Sequence, residues 1–140
     1  MKKNAIIVSG YFNPLHKGHI EYFTIASRLA DELIVIVNND KQRLLKGSKE
    51  FMQEDERCLI ISNLKIIDRV YLSIDEDKTV IKTLELIYKE ISQSYNLMFG
   101  NGGDQKNSTI PEIHICKKLG IKMVDNLGDK VQSSSWLLKK

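Results

Sequence analysis

The feature that most constrains the fold of this chain is the run Leu33-Ile34-Val35-Ile36-Val37. All five residues are apolar and four of them are β-branched, so the run has no polar face to turn toward water. Such a run predicts a strand that is buried on both sides, as strands are in parallel sheets covered by helices. The turn residues Asn38, Asn39 and Asp40 follow it and end the predicted strand.

Strand and helix patterns alternate along the rest of the chain. Strands are predicted at residues 5–9, 33–37, 69–72, 97–99 and 121–124, and helices at residues 18–30, 53–64, 78–90 and 111–119, with a last short helix after residue 135. The polar and basic residues 41–51 are predicted to form a loop or an irregular segment. The acidic residues 75–77 are predicted to cap the helix that follows them. Five strands alternating with helices predict an α/β fold with a parallel sheet.

Composition and charge exclude several classes of protein. With 140 residues and 42% hydrophobic content, residues 1–140 are expected to form a single domain. The net charge of +3 comes from scattered lysines, which argues against nucleic acid as a partner. No segment approaches the ~20 apolar residues of a membrane helix. Cys58 and Cys116 lie far apart without metal-site spacing, so we expect buried thiols in a cytoplasmic protein, without a disulfide or a zinc site.

Two histidines lie where the first predicted strand turns into the first predicted helix. His16 and His19 are three residues apart, so their rings should lie on the same side of the first helical turn. Gly18 between them allows close approach of a ligand, and Asn13 with Pro14 shapes the entry to the turn. The carboxyl end of a strand is where open α/β sheets bind ligands, and a helix N-terminus suits a phosphate.

Other segments are also candidates for binding an anion. Ser133, Ser134 and Ser135 directly precede the apolar residues Trp136-Leu137-Leu138, so their hydroxyls and main-chain N–H groups can form a cradle at a helix start. Residues 100–104, with Asn101, Gly103 and Asp104, follow the fourth strand on the same rim. Lys46 and Arg57 are candidates for neutralising phosphates.

Together these residues resemble the nucleotidylyltransferase superfamily with the His-x-Gly-His signature. Residues 10–19 are similar to its first motif, which assigns Gly10, Tyr11, Phe12, Asn13 and Gly18 to the nucleotide site, and residues 132–137 resemble its second. The closest resemblance within the superfamily is to the group of heptose-1-phosphate adenylyltransferase and glycerol-3-phosphate cytidylyltransferase. The resemblance implies a Rossmann-like three-layer sandwich with a five-stranded parallel sheet, and a homodimer, for which Trp136 is a candidate contact.

The resemblance also implies a reaction. A nucleoside triphosphate, with ATP favoured and Mg²⁺ carried on it, would transfer its nucleotidyl group to a phosphorylated sugar or polyol and release pyrophosphate, in the synthesis of cell-surface polysaccharide or lipid precursors. His16, His19, Lys46 and Ser134 would act in catalysis. No protein ligand to the metal is predicted.

Two alternatives stay open. A cytidylyltransferase would use CTP on glycerol 3-phosphate or a similar polyol phosphate or phosphonate, and a regulatory module would bind the nucleotide without turning it over. The cytidylyltransferases that the chain resembles carry an arginine just ahead of the second motif, where this chain offers only Lys130. This departure leaves the base and the acceptor undecided.

Overall fold

Residues 2–47, 49–102 and 111–127 are described by a computed structural model. They form a five-stranded sheet in which every neighbouring pair of strands is parallel, in the order β3-β2-β1-β4-β5. The strands are β1 (Lys3–Gly10), β2 (Glu32–Val37), β3 (Arg69–Leu72), β4 (Tyr95–Gly102) and β5 (Lys122–Leu127). The predicted α/β class and the five-stranded parallel sheet are confirmed.

Helices cover both faces of this sheet. The described residues contain α1 (Lys17–Ser27), α2 (Asp40–Lys46), α3 (Glu54–Ser62), α4 (Ile81–Ile91) and α5 (Ile113–Leu119). Side chains of α1 and α3 pack into one apolar cluster, and those of α4 and α5 pack into another. Each strand supplies both clusters, because successive side chains of a strand point to opposite faces. The result is a Rossmann-like three-layer sandwich.

Strand β2 is buried on both faces, as its sequence predicts. Leu33, Val35 and Val37 join the cluster with α1 and α3, whereas Ile34 and Ile36 join the cluster with α4 and α5. None of the five side chains is more than 1% exposed. The dense apolar run is therefore explained by burial in the middle layer of the sandwich.

The prediction for residues 41–51 is wrong over half of the segment, because Asp40–Lys46 form the helix α2. The Asn39 side chain accepts a hydrogen bond from the Gln42 N–H, and the Gln42 side chain accepts one from the Asn39 N–H. Gly47 ends the helix with a φ of 79°, in the left-handed region that glycine favours. This helix is too short for hydrophobic periodicity to reveal it, but its reciprocal cap is a recognisable signal.

The start of α4 confirms the predicted role of the acidic segment before it. The Asp75 carboxylate accepts hydrogen bonds from the main-chain N–H groups of Lys82 and Thr83, at 2.7 and 3.0 Å. These groups have no partner within the helix, and a side-chain oxygen at this place satisfies them.

The two cysteines are free thiols, with Cys116 buried and Cys58 half-buried. Burial raises the pKa of Cys116 to about 12. Within the described part of the chain, no helix has the length and apolar character needed to cross a membrane.

The strand order reverses at β1, which makes its carboxyl end the expected place for a ligand. From β1 the chain continues to β2 on one side of the sheet, and β4 lies on the other side. In doubly wound sheets this reversal of strand order opens a crevice in which ligands bind. The first motif, residues 10–19, begins at that point.

Candidate active site

The histidines of the first motif cap helix α1. His16 is the residue just before the helix, and its Nδ1 accepts a hydrogen bond from the Gly18 N–H at 3.0 Å. The Nδ1 of His19 accepts one from the His16 N–H at 3.1 Å. Their ring centroids are 3.9 Å apart with a 33° angle between the ring planes, so the predicted pair of imidazoles is formed.

These two hydrogen bonds determine the tautomer of each neutral ring. A neutral imidazole carries one N–H, and a nitrogen that accepts a hydrogen bond cannot be the one that carries it. Because Nδ1 accepts in both His16 and His19, the proton of each neutral ring lies on Nε2. The pair therefore carries its N–H groups on two adjacent Nε2 atoms, and N–H groups of this kind suit phosphate oxygens.

Phe12 supports His19 from the side. The ring of Phe12 meets that of His19 edge-on, with centroids 4.9 Å apart, and it is only 2% exposed. Gly10 makes room for it, because a Cβ atom on Gly10 would come within 2.7 Å of the Phe12 ring. Phe12 has a φ of 51°, which turns the chain sharply after β1. Gly10 and Phe12 therefore shape the site.

Lys46 reaches the same place from the last turn of α2. Its Nζ atom lies 4.4 Å from the centroid of the Tyr11 ring, a distance typical of a cation–π contact. Its charge also contributes to lowering the pKa of His19. The structure thus brings together four predicted site residues, His16, His19, Tyr11 and Lys46, from two elements that are far apart in the sequence.

The electrostatics of the site keep the histidines neutral. Burial lowers the pKa of His19 to about 4, with further lowering by the charges of His16 and Lys46. Burial also lowers the pKa of His16. At neutral pH the described site therefore combines two uncharged N–H donors with one ammonium group.

We predict that His19 makes the folded state less stable as the pH falls from about 6.5 to about 4. His19 has a pKa of about 4 when folded, whereas an unfolded histidine titrates near 6.5. Between these values the unfolded chain binds the extra proton, so acid favours unfolding. The loss reaches up to about 3 kcal/mol at pH 4, at ~1.4 kcal/mol per pKa unit, and is absent above the unfolded value.

Urea denaturation of the wild type and of His19→Asn at about pH 7.5 and about pH 4.5 measures this effect. The wild type should lose more free energy of unfolding over this interval than the variant does, because the variant lacks the titrating ring. Equal losses in the two proteins would contradict the prediction.

Helix α1 is also tied to the end of β4. The Tyr22 hydroxyl donates a hydrogen bond to the Gly100 carbonyl oxygen at 3.2 Å, and burial raises the pKa of Tyr22. Residues 100–102, predicted to follow the fourth strand, continue β4 instead, with a register irregularity between Gly100 and Gly102. The backbone of Asn101 thus lies in β4 at the sheet edge that carries the first motif.

The Arg57 side chain, which is predicted to contact a phosphate, binds groups of the protein instead. Its side chain is fully buried, and its guanidinium donates to three main-chain oxygens and to the Asp40 carboxylate. Asn13 is also engaged by protein groups, since its amide donates to the Lys49 carbonyl oxygen and accepts from the N–H groups of Phe51 and Met52. Both side chains hold the backbone around the site.

Several predicted site residues lie outside the described residues. They are Gly103, Asp104, Ser133, Ser134 and Ser135, together with Lys130 and Trp136. Among residues 2–47, 49–102 and 111–127, no group of three or more His, Cys, Asp and Glu side chains could hold a metal ion. The predicted Mg²⁺ therefore stays a prediction about the substrate.

Sequence reasoning missed Gln42, which is fully buried beside the site. Its side-chain amide donates to the carbonyl oxygens of Asp77 and Thr79, both at 2.7 Å, and so joins α2 to the segment after β3. The signal that could have found it is the capping pattern Asn39-x-x-Gln42.

A family model described as cytidylyltransferase-like matches residues 7–133 of the chain. This match covers the first motif, α2, the strands β2 to β5 and the carboxyl end of β1.

Known proteins are similar to the chain over most of its length. It is 32% identical over 137 residues to FAD synthase of Thermoplasma volcanium, covering 96% of this chain and 92% of that protein. It is 29% identical over 132 residues to the bifunctional protein HldE of Syntrophotalea carbinolica, covering 93% of this chain but 24% of that protein. The crystal structure of a lipopolysaccharide core biosynthesis protein from Thermoplasma volcanium has a TM-score of 0.66 at 26% identity, covering 89% of this chain and 96% of that one.

Proposed function

The chain belongs to the cytidylyltransferase-like family and is a nucleotidylyltransferase, and from this membership we propose that it transfers the adenylyl group of ATP to a small phosphorylated acceptor. An oxygen of the acceptor phosphate would attack the α-phosphorus of ATP. The new P–O bond forms as the bond between the α-phosphorus and the bridging oxygen of pyrophosphate breaks. The products are an adenylylated acceptor and pyrophosphate.

The observation that carries this proposal is the convergence of His16, His19 and Lys46 at the carboxyl end of β1. Transfer between phosphates needs little covalent chemistry from the protein, because positioning and charge stabilisation supply most of the catalysis. The two Nε2–H groups would donate to triphosphate oxygens, and the Lys46 ammonium would neutralise charge that develops on the leaving pyrophosphate. Ser134, with Ser133 and Ser135, would also hold the triphosphate.

The relatives support ATP as the donor and suggest two classes of acceptor. FAD is FMN joined to an adenylyl group, so the similarity to an FAD synthase favours ATP and FMN. The similarity to a lipopolysaccharide core biosynthesis protein, and the resemblance of the motifs to heptose-type enzymes, favour a sugar or polyol phosphate in polysaccharide or lipid precursor synthesis. We place FMN first, because the FAD synthase match covers nearly all of both chains. CTP is the alternative donor.

Three further parts of the proposal concern the surroundings of the reaction. Mg²⁺ would arrive bound to the triphosphate, since it prefers phosphate oxygens and water to a cage of protein ligands. The reaction would take place in the cytoplasm, with neither nucleic acid nor membrane as partner. The enzyme would be a homodimer, which sedimentation equilibrium tests.

Pyrophosphate release tests the function. We expect the protein with Mg²⁺ to release pyrophosphate from ATP, and not from CTP, GTP or UTP, in the presence of one acceptor class among FMN, heptose 1-phosphate and glycerol 3-phosphate. Formation of FAD, followed by chromatography, identifies FMN as the acceptor.

An ATP analogue with a methylene group between its α- and β-phosphorus atoms serves as the control, because it can bind without releasing pyrophosphate. Release from CTP alone would favour the cytidylyltransferase alternative. No release from any pair of donor and acceptor would contradict the proposed function.

A further inference from the structure

Arg57 is a fully buried cation that the proposed chemistry does not use. Its Nη1 atom donates to the carbonyl oxygens of Tyr11 and Asn38, at 2.7 and 2.6 Å. Its Nε atom donates to the Met52 carbonyl oxygen at 3.1 Å, and its Nη2 atom forms a 2.8 Å ion pair with the Asp40 carboxylate. One side chain therefore contacts three separate places in the sequence, which are Tyr11, residues 38–40 and Met52.

Two of these partners determine where Lys46 lies. Tyr11 carries the ring under the Lys46 ammonium, and Asp40 is the first residue of α2, whose last residue is Lys46. The start of α2 is fixed further by an exchange with Glu54, in which each main-chain N–H donates to the other residue's carboxylate. Arg57 thus binds both the first residue of the helix that ends in Lys46 and the residue whose ring lies under the Lys46 ammonium.

Asn13 binds the segment that follows α2 in the sequence. Its Oδ1 atom accepts from the N–H groups of Phe51 and Met52, both at 2.9 Å, and its Nδ2 atom donates to the Lys49 carbonyl oxygen at 2.8 Å. The Met52 peptide is therefore held by Asn13 through its N–H and by Arg57 through its carbonyl oxygen. The segment that leaves α2 is anchored to the same motif as the histidines.

We propose that Arg57 is a positioning residue for nucleotidyl transfer, holding Tyr11 and α2 together so that the Lys46 ammonium lies over the Tyr11 ring within the first motif. The proposal rests on the proposed function, in which Lys46 stabilises the leaving pyrophosphate. A guanidinium is needed because its planar fork can donate to several acceptors at once, whereas a lysine ammonium is a compact group that cannot span them.

A double-mutant cycle on kcat/KM tests the proposal. If Arg57 acts through Lys46, Arg57→Lys should lower kcat/KM by about 10-fold or more in the wild type but by less than about 3-fold in Lys46→Met, where the group it positions is already gone. Arg28→Lys is the matched control, because Arg28 is exposed at the end of α1. It should leave kcat/KM unchanged in both backgrounds.

A second readout does not depend on activity. The charge of Lys46 contributes to the low pKa of His19, so displacing Lys46 should raise that pKa. NMR titration of the free protein should show a higher His19 pKa in Lys46→Met and also in Arg57→Lys, with no further rise when the two substitutions are combined. The exposed His114 provides the internal reference.

The outcomes separate the two proposals. Equal losses of kcat/KM in both backgrounds, with an unchanged His19 pKa, would show that Arg57 only stabilises the fold. If Arg57→Lys lacks a cooperative urea transition, Asp40→Asn replaces it in the cycle, because it weakens the link to α2 while keeping the buried guanidinium. Absence of pyrophosphate release from the wild type would contradict the proposed function. The His19 titration does not need activity, so it would still show whether Arg57 positions Lys46.

Discussion

Replacing His19 with asparagine is expected to lower the turnover number by about 10²-fold or more, because the substitution removes an N–H donor that serves the transition state in the proposed reaction. The amide oxygen of asparagine can take the place of Nδ1 and still accept from the His16 N–H, as the ring does at 3.1 Å. The side chain is too short to replace Nε2. His19→Asn therefore removes the donor and keeps the hydrogen bond that caps the helix. An alanine would remove both.

His19→Gln provides the comparison. The glutamine amide reaches the region of Nε2, so it can supply an N–H donor and should retain more turnover than asparagine does. His16→Asn is expected to cause a loss of the same order as His19→Asn, since the two rings lie 3.9 Å apart and carry the same tautomer.

His114→Asn is the matched control, because this histidine is exposed on α5. Initial rates of pyrophosphate release at saturating substrate measure all four variants. Turnover near the wild-type value in both His16→Asn and His19→Asn would remove the pair from the mechanism.

The parts of the fold that the sequence predicts are those in which one segment carries its own signal. The run from Leu33 to Val37 has no polar face, so it fits a strand with helices on both sides and little else. Gly120 adopts the left-handed conformation at the end of α5, as expected for a glycine after a helix. In such cases the local pattern and the tertiary environment agree.

The parts that sequence reasoning missed depend on contacts between distant segments. Arg57 follows three acidic residues at the start of α3, and a solvated arginine would look the same in the sequence. Its burial arises because Tyr11, Asn38 and Met52 meet around it in space. No local pattern in the sequence indicates that these segments meet, so the sequence alone predicts a phosphate contact for this arginine.

Asn13 illustrates the same limit within a motif. The resemblance assigns it to the nucleotide site, and it lies in the turn after β1. Its three hydrogen bonds, however, go to main-chain groups of Lys49, Phe51 and Met52, more than thirty residues away in the sequence. A motif therefore locates a site more reliably than it assigns a contact to each of its residues.

Replacing Lys46 with methionine is the second change expected to have a large effect, a loss of about 10²-fold in kcat/KM. Methionine keeps an unbranched apolar side chain near the Tyr11 ring but removes the ammonium that lies 4.4 Å from its centroid. Lys46 is exposed in the last turn of α2, so its loss should change the free energy of unfolding little. Arginine at this position keeps the charge and should retain more activity than methionine does.

Lys41→Met is the matched control, since Lys41 is an exposed lysine of the same helix at its opposite end. Steady-state rates with ATP, Mg²⁺ and the identified acceptor, measured at two salt concentrations, complete the test. A general electrostatic effect of α2 would lower kcat/KM similarly in Lys41→Met and Lys46→Met and would fade as salt rises. A loss confined to Lys46→Met and persisting at high salt is the result expected of a group that touches the triphosphate, because a contact ion pair shielded by ligand and protein is screened much less than an exposed one.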